Sequence, residues 1–525
     1  MIHLFQRLRR WVTLPLQCNF NFFITILILH ALVDVVYFYI YWRFSLNVFL
    51  HGFFIAYVLT LPCLLLAKNK LLLKGYKLLV LVPYVISFLG DILAHAILDS
   101  SLDEDVAATI LATNREEFIE CVETYFSFLP IIIGVSVLFV TYKLYRIVKK
   151  VPFKYDVVWL LGILLGAVVT FTGNPTHLGG VIGKAIIFSR AQLPVELDLF
   201  ESSPKLKINS EQQPQNIVMI VGESLTKLHC STYGYDKPTT PKLQALADSS
   251  LLYIFTDVKS PEVHTLPVFK TLFSQYRCEW GDSVNWYSQP TLQGILHQAG
   301  YATHWISNQS KHGVCDNFIG KYAELCTDNH FVGNKLAGMK RKTFDGEVVD
   351  LLKPLLRTVT DKNFYVVHLM GSHFKFDKRY PEEFDYFQAD DYPNLPSRQQ
   401  KVVATYDNSV LYNDLVVSDV MQLFADKEAI VFYFSDHAVD LFQSSDDYYG
   451  HAKKTKESFV WGQQIPFYVY MSRKYQQKYP QIVRALTERL DRPFCTDNMF
   501  YTVMDLIGTQ FVGNNDVQLY TLFKD

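Results

Sequence analysis

Asn216-Ile217-Val218-Met219-Ile220-Val221-Gly222-Glu223-Ser224 runs from a short apolar stretch straight into a glycine, a carboxylate and a hydroxyl. A run this short, apolar throughout and rich in β-branched residues, reads as a strand buried on both faces, which suits the interior of a parallel sheet. Three more stretches share this construction. Tyr301–Ile306 leads into Ser307-Asn308-Gln309-Ser310-Lys311, Asn363–Met370 into Gly371-Ser372-His373, and Ala429–Phe434 into Ser435-Asp436-His437. Helical patterns separate them, so residues 215–525 are expected to form an α/β domain with a mostly parallel sheet. In open sheets of this kind the ligand crevice lies beyond the carboxyl ends of the strands, so clusters far apart in sequence are expected to converge there. Glu223, His373, Asp436 and His437 combine hard oxygen with borderline nitrogen donors, a set that suits zinc or manganese. Singly, each passes for a capped strand end or a surface carboxylate; four at equivalent positions favour a metal site.

Ahead of this domain the composition changes. Of the 525 residues 50% are hydrophobic and 15% aromatic, while only 19% are charged, below the roughly 25% of soluble chains. The excess is concentrated before residue 176. Runs long enough to cross a hydrocarbon layer of about 30 Å occur at Phe20–Trp42, Val48–Ala67, Tyr76–Leu98, Phe126–Tyr145 and Val157–Thr172. Residues 1–176 are therefore read as a five-helix transmembrane bundle and 177–214 as a linker with an amphipathic portion. A cleaved signal peptide does not fit, because the first run is too long and four more follow.

Lys and Arg set the orientation. Arg7, Arg9 and Arg10 precede the first span, Lys68, Lys70, Lys74 and Lys77 lie between the second and third, and Lys143, Arg146, Lys149, Lys150 and Lys154 between the fourth and fifth. The third-to-fourth loop is acidic instead, and it falls outside the cytoplasm with residues 177–525. Six of the eight cysteines lie in these outer segments, where disulfides persist, and Cys315 and Cys326 are expected to staple a local loop. Asp34, Asp91 and His95 fall within spans and should face the bundle interior. With 49 basic against 51 acidic residues there is no positive field to hold nucleic acid, which is excluded as a partner.

Further elements accompany the strand ends: His229 with Tyr233-Gly234-Tyr235 and Thr239-Thr240-Pro241, Arg379-Tyr380-Pro381 after His373, and Tyr406-Asp407-Asn408-Ser409. Together with Gly222-Glu223-Ser224, Gly371-Ser372-His373 and Ser435-Asp436-His437, in this order, the chain resembles the phosphoethanolamine transferases of Gram-negative bacteria. That resemblance covers nearly the whole chain. It implies an inner-membrane enzyme with five membrane helices and a periplasmic domain of the alkaline phosphatase and sulfatase type.

It also implies a threonine nucleophile a fixed distance before a Leu-Phe-Ser element. Leu272-Phe273-Ser274 places this nucleophile at Thr265, and a register anchored on Pro267 would place Glu262 there instead, where a carboxylate does not suit the role. As an ordinary residue, Thr265 reads as a helix N-cap. By the resemblance Glu223, Thr265, Asp436 and His437 bind zinc, one ion or two, while His373 and His451 bind the phosphate. Lys311, or neighbouring His312, supplies a cation. The family's Gly-Glu after the Asp-His pair is here Ala438-Val439, leaving Asp440 as the nearest acid, and Thr113-Asn114 with Glu117 resembles an element near the lipid substrate. The donor implied is phosphatidylethanolamine, and the acceptor is lipopolysaccharide core, lipid A or a periplasmic glucan. A glycerophosphate transferase or a phosphatase or sulfatase on the same scaffold is the alternative.

Overall fold

The structure, a computed structural model, describes residues 19–29, 55–82, 85, 139, 206–209, 213–309, 318–332, 343–357, 361–445, 448–451, 455–511 and 521–523. Lys311, His312, Cys315 and Glu117, with most of the expected spans, lie outside these residues. Two compact units divide the chain, one of residues 1–111 and 125–193, the other of 112–124 and 194–525. In the first unit, residues 19–29 and 70–82 are helical, and Phe22, Phe23, Ile26 and Leu29 pack with Ala56, Cys63 and Leu81. Among the described residues no helix is long and apolar enough to cross a membrane.

The second unit is built on a seven-stranded sheet. Its strands are β1 (Asn216–Gly222), β2 (Leu252–Ile254), β3 (Ala302–Ser307), β4 (Asp328–Phe331), β5 (Asn363–His368), β6 (Ala429–Ser435) and β7 (Phe467–Met471). The spatial order is β2-β7-β6-β1-β5-β3-β4. The central neighbours β6, β1, β5, β3 and β4 run parallel, and β7 is antiparallel to both β6 and β2. The mostly parallel sheet is as expected, with one reversed strand. All seven residues of β1 and of β6, and all six of β5, are buried, which explains their unbroken apolar runs. Each buried Val, Ile or Phe in this core contributes about 1.5–3 kcal/mol relative to exposure.

Register sets up the site. Val221 pairs with His368, which pairs with Ser307, and Gly222 pairs with Ser435. The next residues along each strand, Glu223, Leu369, Asn308 and Asp436, therefore emerge at one rim of the sheet. Three helices bear on that rim: α1 (Thr265–Phe273), α2 (Gly346–Leu355) and α3 (Ser397–Gln422). The linker reading needs one correction. Within it, Leu206–Ile208 is a strand that pairs antiparallel with Thr509–Phe511, where its backbone groups find partners.

Candidate active site

Gly222, the last residue of β1, lies against β6; a Cβ there would stand 2.8 Å from the Tyr433 hydroxyl. The chain then turns sharply through Ser224, whose φ of 57° is left-handed. Tyr406 of α3 holds this turn by accepting from Thr226 N at 2.8 Å and donating to the Ser224 carbonyl at 3.0 Å. The turn presents the Glu223 carboxylate to the end of β6. There Asp436 Oδ1 accepts from the backbone N–H groups of Ser224 (3.2 Å) and His437 (2.7 Å). Gly371, at φ 54°, closes the third side; a Cβ there would lie 2.5 Å from the Glu223 carbonyl oxygen, so only glycine lets β5's loop approach so near. That loop hangs from Asp345, just before α2, whose buried carboxylate accepts from Met370 N, Gly371 N and Asn308 Nδ2, each at 2.8 Å.

Ligand-type atoms of Glu223, Asp436 and His437 all lie within 4.8 Å of one another, and all three residues are buried. His437 Nδ1 lies 3.0 Å from the Ala438 carbonyl, which can only accept. The ring therefore carries its proton on Nδ1 and turns the Nε2 lone pair inward. Nε2 faces Glu223 Oε1 at 3.2 Å and Asp436 Oδ2 at 3.4 Å, and Asp436 Oδ2 accepts no hydrogen bond. Three inward-facing acceptors in a buried space demand positive charge. Burial, and then the Glu223 charge, push the Asp436 carboxyl up to about 8. Burial alone would lower His437, but the Asp436 and Glu223 carboxylates outweigh it and raise the imidazole to about 9. A proton or a divalent cation answers the demand, and the two carboxylates with an imidazole nitrogen are the donor chemistry of zinc. The residues fit such an ion.

Thr265 stands at this centre. Its Oγ1 donates to Glu223 Oε2 at 3.1 Å and lies 3.4 Å from His437 Nε2. The N-cap reading is corrected: Thr265 is the first residue of α1 and His264 occupies the cap position. Pro267 is harmless in the first turn, where its missing N–H has no intrahelical acceptor to lose. The half-buried Thr265 hydroxyl thus sits at a helix N-terminus, where the dipole favours negative charge.

Imidazoles crowd the same space. The His451 ring lies 4.2 Å from that of His437 and 5.4 Å from that of His264, and its Nδ1 is held 3.0 Å from the Val263 carbonyl. His373 Nδ1 is buried without a hydrogen bond, and burial pulls this ring down to about 4. Both rings feel the Glu223 charge. Glu223, Thr265, Asp436, His437, His373 and His451 are thus neighbours.

Asp440 Oδ1 caps its own loop, accepting from Gln443 N at 2.9 Å and Ser444 N at 3.2 Å, while its buried Oδ2 accepts no hydrogen bond. Cys326 is a free buried thiol whose Sγ donates to the Tyr322 carbonyl at 3.6 Å, and its expected partner Cys315 lies outside the described residues. Three supports carried no role in the sequence reading. Asp345 follows no strand, Tyr406 was legible only as part of a motif, and Gln309, within a noted strand end, donates to Glu223 Oε2 at 3.2 Å.

A threonine hydroxyl beside a buried cation-demanding centre, on the carboxyl edge of a mostly parallel sheet, is the arrangement of a protein of the alkaline phosphatase and sulfatase class. The chain matches the Sulfatase family over residues 215–509; it belongs to that family and is an enzyme. It is 25% identical over 456 residues to phosphoethanolamine transferase EptC of Escherichia coli strain K12, covering 80% of this chain and 77% of that protein. To the Kdo(2)-lipid A phosphoethanolamine 7''-transferase of the same strain it is 25% identical over 312 residues, 57% of this chain and 53% of that one. Among solved structures it is similar to the zinc complex of the C-terminal periplasmic domain of EptC from Escherichia coli. There the TM-score is 0.55 and the identity 26%, covering 61% of this chain and 89% of that one. The integral membrane lipooligosaccharide phosphoethanolamine transferase A of Neisseria meningitidis shares the fold over 95% of both chains, with a TM-score of 0.63 and 18% identity.

Proposed function

We propose that this enzyme transfers phosphoethanolamine from phosphatidylethanolamine to a cell-surface glycan, lipopolysaccharide core before lipid A, through a covalent intermediate on Thr265. The observation that carries the reading is the Thr265 hydroxyl, 3.1 Å from one buried carboxylate and 3.4 Å from an inward-facing imidazole nitrogen. Glu223, Thr265, Asp436 and His437 would hold zinc, which when bound lowers the pKa of a hydroxyl and offsets phosphoryl charge. The Thr265 oxygen forms the new bond to phosphorus as the bond to diacylglycerol breaks, and the hydroxyl proton ends on the departing diacylglycerol oxygen. An acceptor oxygen then displaces Thr265 in a second step that returns a proton to it. We assign His373 and His451 to the phosphoryl group, with Lys311 as the further cation: a His373 ring N–H can donate to a phosphoryl oxygen, whereas His451, whose Nδ1 proton goes to the Val263 carbonyl, turns its Nε2 lone pair inward.

A lipid donor accounts for an anchor of five spans that holds the domain outside the cytoplasm, since tethering raises the effective concentration of both substrates. Leu79, within the span expected at Tyr76–Leu98, is 73% exposed, in keeping with a bilayer-facing surface. A C-terminal alkaline phosphatase fusion is expected to be active and one in the Lys68–Lys77 loop inactive; equal activity at both points would sink this topology. The activity itself is tested by mass spectrometry of surface glycans from cells with and without the protein. An added phosphoethanolamine on a glycan fits the proposal, and free phosphoethanolamine released into water favours a hydrolase instead.

A further inference from the structure

Gln309 lies two residues past the end of β3, half-buried, and its side chain spans three strand ends. Its amide nitrogen donates to the Leu369 carbonyl beyond β5 at 3.0 Å and to Glu223 Oε2 beyond β1 at 3.2 Å. Both neighbours only accept, so the NH2 group, not the carbonyl, must face them. The backbone cannot drift, because Gln309 N donates to Ser307 Oγ at 3.0 Å and Leu369 N to the Val221 carbonyl at 3.0 Å. Across the carboxylate, Ser224 Oγ donates to Oε1 at 2.8 Å. Glu223 is thus gripped by one donor on each oxygen, and Oε2 is the same oxygen that receives the Thr265 hydroxyl.

We infer that Gln309 is a positioning residue that locks the rotation of the Glu223 carboxylate, and so sets both the zinc affinity of the centre and the placement of the nucleophile. The inference rests on the zinc reading given above. A carboxylate hinged at its Cγ–Cδ bond turns freely unless both oxygens are held. One oxygen must face the cation while the other holds Thr265; without Gln309, Oε2 keeps just the Thr265 hydroxyl, the very group it has to place. Loss of such an outer hydrogen bond to a metal ligand typically costs 10–100-fold in metal affinity.

The test is zinc titration of the purified full-length protein in detergent against a chromophoric chelator, with melting temperatures of metal-free protein measured in parallel. Gln309→Met keeps the length and loses both N–H groups; it is expected to raise the zinc dissociation constant about 10–100-fold while leaving the metal-free melting temperature unchanged. A merely structural role would lower that temperature instead. Gln309→Asn, one methylene too short to span both acceptors, is the second variant and is expected to lose affinity in the same way. If either folded variant binds zinc within twofold of the wild type, the inference is overturned. If the wild type binds no zinc, the metal reading falls and the inference with it, a result distinct from equal binding by wild type and variants.

Discussion

Incubated with phosphatidylethanolamine and no acceptor, the wild-type protein is expected to carry phosphoethanolamine on the peptide containing Thr265 and to release diacylglycerol in equal amount; Thr265→Ala is expected to do neither. The covalent step precedes acceptor binding, so the adduct should accumulate. Removing a nucleophile that acts with its neighbours as a unit costs roughly 10⁴-fold or more in turnover. The fold should tolerate the change, because Thr265 is half-buried at the first helical position and His264, not Thr265, fills the cap. Glu223, Asp436 and His437 remain, so the metal should stay largely bound. Thr265→Ser, which retains a hydroxyl, should recover part of the activity. An adduct on another residue, or undiminished turnover by Thr265→Ala, refutes the assignment.

Asp436→Asn is expected to abolish metal binding and transfer together, with zinc affinity reduced by more than roughly 100-fold. The amide keeps an oxygen at the Oδ1 position, so the bonds from Ser224 N and His437 N survive and folding is preserved. What disappears is the anionic Oδ2 that faces His437 Nε2 at 3.4 Å. Glu223→Ala should lose metal as well, and with it the partner of the Thr265 hydroxyl. Burial and the Glu223 charge raise Asp436, and the two carboxylates raise His437, so the cluster holds a proton at neutral pH when no cation is present. Zinc uptake should therefore release protons and strengthen as the pH rises. Chelation of the wild type should lower its stability by about 2.7 kcal/mol relative to protein in zinc at 100 times the dissociation constant. Stoichiometric zinc in the Asp436→Asn protein, measured by elemental analysis, would remove Asp436 from the ligand set.

Local chemistry alone made much of this protein legible. Strands buried on both faces carry unbroken apolar runs, so β1, β3, β5 and β6 were readable as strands within a residue or two at each end, and so were the polar clusters that follow them. Because parallel strands deliver their carboxyl ends to one edge, Glu223, Asp436 and His437 could be expected to meet. The domain's class followed from an ordered set of motifs, in agreement with the match to the Sulfatase family over residues 215–509, while the anchor and its orientation are expectations from hydropathy and from Lys and Arg placement, most of whose residues lie outside the described ones. Other features depend on partners that no local pattern names. Thr265 owes its place at the centre to the path of the chain from β2 into α1, and its hydroxyl is fixed by a carboxylate 42 residues away. Asp440, four residues beyond Asp436, accepts on Oδ1 from the Gln443 and Ser444 amides of its own loop, a turn that no local pattern announced. The Cys326 thiol lies on the Tyr322 carbonyl, a contact within its own turn that no cysteine spacing announces. Gln309, Asp345 and Tyr406 are ordinary polar residues by sequence. Only the sheet's register brings a Gln beyond β3 within reach of a Glu beyond β1, since a hydrogen bond is decided by a few tenths of an ångström between atoms 86 residues apart.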